Sequence, residues 1–582
     1  MRTVIEHRGE DAGALSPVEL EILRTTLLAY PDELGAVLAN AAPTVEISQG
    51  REYAIAIADA SGAIVATDDP LQTASMAQTV GHVVEYFEFD LHDGDVILTN
   101  DPYAGGTRLQ DVTLTAPLTI DDELVLFLAA RVRVADVGGQ VTGSLNPAAT
   151  EILAEGHPAT PVKIQRHGRP VRDMLHVFLL NGRRAEETRR TLEAGIAALE
   201  LGQRRLTELI GRYGVETVRG ALAYAQDYSE QLARNAIAAW EPGAYEGEQT
   251  LRLDADAGGP VTVRLAATVD ETRLVLDFSR SDDQRQLFVN SSAGSTASCA
   301  VGAVLAMLGD TVPANSGLLR AVQVRTRPGS VVHPVNPAPV GWGPMHCGNE
   351  VTELVATTLR PAAAHPVPAL TVPRPLVLSR PADDRSHQLD LGRWGVGGAS
   401  AVPEGDGWGR PQLATRAQLP SVEQWETEHA MRIERLELVQ DSPGAGRWRG
   451  APGVEAIVVL APDRLFTLWT QASGAAVGGL AGGAPGDPGE VAFHTPEGWQ
   501  PAPHSAADTA IAADRLRLRL AGGGGCGDPA ERARTAVVDD VLDGVISPAT
   551  ARDVYGLSAD ELDAAIQDLP AGQGAQIGGD RV

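Results

Sequence analysis

Lysine is almost missing from this chain. Among 582 residues Lys163 is the only one, and every other fixed positive side chain is arginine. A Walker A loop needs Gly-Lys-Ser/Thr, whereas Lys163 stands in Pro-Val-Lys-Ile, so the chain has no P-loop for ATP. Cysteine is scarce too. Cys299, Cys347 and Cys526 lie far apart and form no CxxC pair, which fits a reduced, cytoplasmic setting rather than a disulfide framework or a zinc ribbon. The longest apolar runs reach roughly ten residues, half of what a bilayer span requires. The start, MRTVIEHRGEDAG, has no apolar signal core. Neither a Gly-x-Ser-x-Gly elbow nor a His-Glu-x-x-His zinc helix occurs. Positive charge as a whole is in deficit: 47 Lys and Arg face 76 Asp and Glu, a formal charge of −29. That argues against nucleic acid or an anionic membrane as partner, since both demand concentrated positive charge.

What is present suits a multi-domain globular chain. Apolar residues make up 43% of it. The texture divides it into a flexible leader (1–14), an N-terminal α/β domain (15–182), a helical hairpin (183–243), a second α/β domain (244–381), a strand-rich domain (382–529) and a helical tail with a disordered end (530–582). The expected class is α+β, in several mixed layers. Ser16-Pro17-Val18-Glu19 is a capping-box helix start, with Pro31 expected to kink or divide the helix that follows. Leu192, Ile196, Leu199, Leu206 and Ile210 repeat at helical spacing, Gly214 closes that helix, and a second follows. Strands are expected at Tyr53 to Ala58 and Ala63 to Ala66, and between Thr250 and Phe278. A helix is expected over Ser295 to Leu308, short strands at Val322 to Thr326 and Val331 to His333, and more strands across 430–520.

The candidate site lies between Thr99 and Gly156. Two apolar runs, Val96 to Leu98 and Leu124 to Ala130, read as buried strands, and each leads into an acid, Asp101 or Asp136. A glycine pair follows each acid, Gly105-Gly106 and Gly138-Gly139. Acids at strand ends beside glycine turns build polar sites on rigid scaffolds. Asp101 and Asp111 also suit plain turn caps. Farther along, His346-Cys347-Gly348-Asn349-Glu350 opens a helix. Cys347 would need His346 as a base, but adjacent side chains rarely face one another. His82, His157 and His167 read as surface or loop residues.

These anchors resemble the hydantoinase B family, which includes the B components of ATP-dependent hydantoinases, the C-terminal half of 5-oxoprolinases and acetone carboxylase alpha subunits. The resemblance spans residues 15 to 558. It rests on Leu98 to Thr107, Ala135 to Gly139, Glu155-Gly156, Pro161-Val162-Lys163, Cys347 to Glu350, Gly444 to Gly450, Gly523 to Pro529 and Val541 to Pro548. It implies a subunit that works with an A-type, ATP-handling partner, with Asp101, Asp111, Asp136 and Asn349 lining the site. Gly105, Gly106, Gly138, Gly139 and His346 are implied as substrate-binding residues, together with Arg108 and Arg133. The chain departs from the family pattern where that pattern carries histidine: here stand Gln72, Arg108, Arg133 and Val134. A guanidinium has no lone pair for a metal. A divalent metal is therefore not expected there, and no cofactor is assigned to this chain. Instead, Arg108 and Arg133 are expected to form an arginine–aspartate network with Asp111 or Asp136. Two readings stay open. One is an ATP-dependent cyclic amide hydrolase or carboxylase subunit whose arginines clamp an anionic intermediate. The other is a non-catalytic paralogue that scaffolds or regulates a complex, beside a second, histidine-complete B-type chain.

Overall fold

The structure is a computed structural model. It describes residues 16–251, 253, 259–363, 369, 374–386, 388–409, 416, 418–429, 431–471 and 474–567. The leader at 1–14 and the chain end after 570 lie outside the described residues.

The N-terminal part is built on one sheet. Helix α1 (Pro17–Ala41) begins with the capping box of Ser16 and Glu19 and runs undivided through Pro31, which is buried. A short turn, α2 (Val45–Ser48), leads to β1 (Tyr53–Asp59) and its hairpin partner β2 (Ile64–Thr67). Helix α3 (Thr73–Phe87) precedes β3 (Val96–Thr99), β4 (Asp111–Ile120) and β5 (Glu123–Arg133). After α4 (Ile152–Glu155) come β6 (Val162–Arg166), β7 (Arg169–Pro170) and α5 (Arg172–Asn181). The hairpin is α6 (Ala185–Tyr213) and α7 (Val215–Ile237), joined at Gly214.

Strand order is β2-β1-β5-β4-β3-β6-β7, with every pairing antiparallel. Alternation along β5 sorts its side chains between two faces. Leu126, Leu128, Ala130 and Val132 join the core shared with α1, α6 and α7. Phe127 and Ala129 meet Ala54, Ala56, Ala58 and the α3 residues Met76 and Val80 on the other face. Arg131 and Arg133 continue that second row, so the end of the strand places guanidiniums where the apolar row stops.

A second sheet follows: β8 (Gly243–Leu251), β9 (Val261–Asp270), β10 (Arg273–Asp277) and, parallel to β10, β11 (Val322–Arg325). Between β10 and β11 lie α8 (Ala293–Leu308) and α9 (Ser316–Ala321); α10 (Gly348–Leu359) comes after. The stretch at Val331 to His333 forms isolated bridges at Ser330 rather than a strand, because its partners sit in a turn. Small residues let α8 pack closely: a Cβ on Gly294 would come within 2.3 Å of the Gly105 carbonyl.

The C-terminal half is strand-rich. It contains β12 (Leu376–Pro381), β13 (Leu389–Asp390), α11 (Val422–Glu428), β14 (Arg432–Leu438), β15 (Val454–Val459), β16 (Arg464–Trp469), β17 (Glu490–Thr495), β18 (Gly498–Pro501), β19 (Ser505–Ala510) and β20 (Arg515–Arg519). They make a four-stranded sheet β13-β12-β16-β19 and a five-stranded sheet β14-β15-β20-β17-β18. Helices α12 (Arg534–Leu542), α13 (Pro548–Asp553) and α14 (Ala559–Gln567) close the described chain. The expected α+β class matches this mixture of helices and mostly antiparallel sheets.

One buried acid ties the first two units together. Glu155 accepts hydrogen bonds from the backbone N–H groups of Val340 (3.0 Å) and Gly341 (2.8 Å), and Tyr103 donates to the Ala338 carbonyl at 2.6 Å. Burial pushes Glu155 up to about 8 against the pull of those two N–H groups. Stability from this group is full below its ordinary value of 4.5 and is lost as pH rises toward 8. On Glu155→Gln, the stability difference is therefore expected to move in the variant's favour by up to about 1.4 kcal/mol per pH unit across that window. Melting curves at several pH values check this, and an offset that does not change with pH would contradict it. The glycines supply a second test. Gly105 has φ +88°, and a Cβ there would lie 2.5 Å from the Thr79 backbone nitrogen, whereas a Cβ on Gly81 in α3 meets nothing within 4 Å. Gly105→Ala is expected to cost about 2–4 kcal/mol, and Gly81→Ala to be neutral or to add up to about 1 kcal/mol.

Candidate functional site

The strand ends meet at a cavity. Its charged lining is Arg51, Arg108, Arg131, Arg133 and Arg416 against Glu52, Asp69 and Asp111, with Gln72, Pro344 and Met345 completing much of the wall. Gln72, Arg108 and Arg133, three of the positions where the family pattern carries histidine, thus converge on one cavity. Val134, the fourth, turns to the other face and is buried in the apolar core.

Antiparallel register accounts for this meeting. β5 lies between β1 and β4, and Arg133 is directly opposite Asp111 while Arg131 is opposite Thr113. On the other side the Arg133 N–H donates to the Glu52 carbonyl at 3.2 Å. Side chains directly opposite across strands are within contact range. Arg133 Nη1 donates to Glu52 Oε2 at 2.6 Å and Arg393 Nη2 donates to Glu52 Oε1 at 2.8 Å. Arg108 Nη2 stands 3.9 Å from Glu52 Oε2. The Glu52 side chain is 6% exposed. Burial would raise it, but the fields of Arg133, Arg393, Arg108 and Arg374 hold it down at about 2.

Asp111 opens β4 and accepts from Thr107 Oγ1 at 2.5 Å and from Arg108 Nε at 3.1 Å. The expected arginine–aspartate pairing is thus present for Arg108. For Arg133 it is corrected: its ion-pair partner is Glu52, not Asp111 or Asp136, because Asp111 is already engaged by Arg108 and Thr107. Arg131 is the odd member. Its four hydrogen bonds end on neutral oxygens, those of Thr113 (3.0 Å), Gln72 (2.9 Å), Ser75 (2.6 Å) and Thr79 (2.9 Å). Burial lowers its guanidinium to about 10, which still leaves it charged at neutral pH. Burial likewise lifts Asp69 to about 6, against the pull of Arg416.

The other expected site residues do not line the cavity. Asp101 caps a single 3-10 turn, accepting from the Tyr103 N–H at 2.9 Å, and burial raises its carboxyl. Asp136 closes its own loop through the N–H groups of Gly138 (2.9 Å), Gly143 (2.8 Å) and Arg183 (2.9 Å), with Arg183 Nη1 at 3.0 Å. Gly105, Gly106, Gly138 and Gly139 serve close backbone packing: Cβ atoms there would come within 2.5, 2.5, 2.5 and 2.7 Å of backbone atoms. Asn349 Nδ2 donates to the Met345 carbonyl at 2.9 Å, so it positions a wall residue and is a step removed from the cavity. His346 is buried, with Nδ1 3.4 Å from Glu350 Oε1 and its ring edge against Trp469. Cys347 is buried with φ +60°, and burial pushes its thiol well up, which does not suit a nucleophile.

Sequence reasoning missed Glu52, Arg131 and Arg393. The signal for Arg131 was readable, since an arginine two residues before Arg133 in an apolar strand must share its face. Glu52 precedes β1 and Arg393 arrives from a separate sheet, so neither carried a local signal. A divalent metal does not fit this donor set. Among the described residues no group of three or more His, Cys, Asp or Glu is placed to hold one, and Glu52 and Asp111 already bind guanidiniums.

Known proteins share this architecture. The family model described as Hydantoinase B/oxoprolinase matches residues 16–529. A protein of Pseudomonas sp. (strain NS671), named as the putative B component of a D-/L-hydantoinase, is 26% identical, covering 95% of this chain and 97% of that protein. The crystal structure of the ATP-dependent caprolactamase from Pseudomonas jessenii superposes with a TM-score of 0.84 at 24% identity, over 95% of this chain and 99% of that one. The nucleotide-free structure of acetone carboxylase gives 0.82 at 18% identity, over 95% and 83%. No described helix is long and apolar enough to cross a membrane. The match of the family model over residues 16–529 shows that the chain belongs to the hydantoinase B/oxoprolinase family.

Proposed function

We propose that this chain is the B-type subunit of an ATP-dependent enzyme acting on a cyclic amide, or of a related carboxylase, and that it works with an A-type subunit that handles ATP. The observation that carries the reading is the convergence of Gln72, Arg108, Arg133 and Asp111 on one cavity, at positions set by the family pattern. Relatives whose names make them the B or beta component of a hydantoinase or a caprolactamase support a partner chain. The missing Gly-Lys-Ser/Thr loop fits a division of labour in which this subunit does not bind ATP with a P-loop.

In this reading Arg108 is the group that faces the reacting carbonyl. Arg133 and Glu52 hold the strand ends, and Asp111 with Thr107 orients Arg108 by fixing its Nε. A preoriented guanidinium stabilises charge developing on an amide oxygen without rearranging during the reaction. It would do so by hydrogen bonding, not by Lewis-acid coordination.

The replacement of every one of those histidines also favours a second reading, a non-catalytic paralogue that scaffolds a complex. Co-expression with the A-type partner separates the two. Purified complex is expected to consume ATP while opening at least one of hydantoin, 5-oxoproline or caprolactam, with neither chain active alone. Arg108→Gln is expected to lower kcat/KM by about 10²–10³-fold while leaving the complex assembled. An assembled complex without turnover on any such ring would select the scaffold.

A further inference from the structure

The cavity carries a charge opposite to that of the protein around it. In a chain of formal charge −29 its walls bring five guanidiniums against three carboxylates. The carboxylates are committed. Glu52 is shared by Arg133 and Arg393, Asp111 by Arg108 and Thr107, and Asp69 accepts from the Leu71 N–H at 3.2 Å. Arg131 has only neutral oxygens as partners.

The hydrogen-bond inventory leans the same way. Among the described residues, one buried side-chain nitrogen of the lining, Arg108 Nη1, lacks a hydrogen-bond partner, whereas Arg416 Nε faces Asp69 Oδ2 at 3.6 Å. Arg108 is 7% exposed and lies over the Trp342 ring, 5.6 Å from its centroid, and Trp342 Nε1 is another buried donor without an acceptor. A buried donor without an acceptor is costly, so a ligand rich in acceptor oxygens is the complement.

We propose that this cavity is a binding site for a doubly charged, phosphate-like oxyanion, held chiefly by Arg108 beside Arg131, whose hydrogen bonds all end on neutral oxygens. Guanidinium forks match the oxygens of such an anion. The dianion is either inorganic phosphate or the phosphoryl group of an intermediate. The proposal deepens the reading above and rests on it only for the origin of a phosphoryl group, since the binding belongs to this chain alone.

The test uses the full chain without partner or ATP. Calorimetry and thermal melts are run with inorganic phosphate and with methyl phosphate, against sodium chloride at equal ionic strength. Saturable phosphate binding and a raised melting midpoint are expected for the wild type. Arg108→Gln is expected to weaken binding by about 10- to 100-fold. Should that variant fold poorly, Arg51→Gln at the exposed rim is expected to weaken it by a few-fold with an unchanged melt. Binding of methyl phosphate as well as phosphate would assign the site to a phosphoryl group, and binding of phosphate alone would assign it to the free ion. No saturable binding beyond the chloride control, or binding unaltered in a folded Arg108→Gln, overturns the proposal. Such a failure leaves the partner-dependent reaction untouched, because no turnover is measured.

Discussion

The contact on which the rest depends is the buried pair of Glu52 and Arg133. One carboxylate between β1 and β5 receives Arg133 on one oxygen and Arg393 on the other. Each ion taken from water costs several kcal/mol, and only close, hydrogen-bonded pairing offsets that. The consequence is a cluster that cannot lose a member cheaply. Because Arg393 follows β13, this pair also fastens the strand-rich half of the chain to the N-terminal sheet. The site and the assembly of the two halves are one electrostatic object.

Around that pair, the cavity works by donors. A site of imidazole and carboxylate offers lone pairs to a cation. This one offers N–H groups to an anion, and it spends its carboxylates on keeping the guanidiniums in place. The chain brings Gln72, Arg108, Arg133 and Asp111 to one place. What differs is the sign of the ligand the walls can stabilise. Neutral oxygens around Arg131 matter here. They hold the side chain in place by hydrogen bonds, while the carboxylates that act on its charge, Asp111 and Asp69, stand farther off.

Much of the fold was legible because it is local. The capping box of Ser16 and Glu19, the spacing of Leu192 to Ile210 and the closing Gly214 each specify their element by short-range chemistry. Of the two outcomes expected at Pro31, division of the helix does not occur: α1 runs on through the buried proline. The site was legible only in part. Motif anchors led to Arg108, Arg133 and Asp111, but they also drew in Asp101 and Asp136, which proved to organise turns. Acid-then-glycine spacing marks a turn at both places, whereas Asp111, which no glycine follows, reaches the cavity through the register of β4 on β5. Glu52 and Arg393 are 341 residues apart, and no pattern in either neighbourhood announces the other.

The most direct measurement of the central claim is the stability of Glu52→Gln, by thermal melting of the full chain beside Glu52→Gln combined with Arg133→Gln. If Glu52 neutralises the cluster, the single variant loses about 3–5 kcal/mol and the double variant recovers part of it, because one of the stranded cations is gone. A single variant that melts within about 0.5 kcal/mol of the wild type would contradict the account.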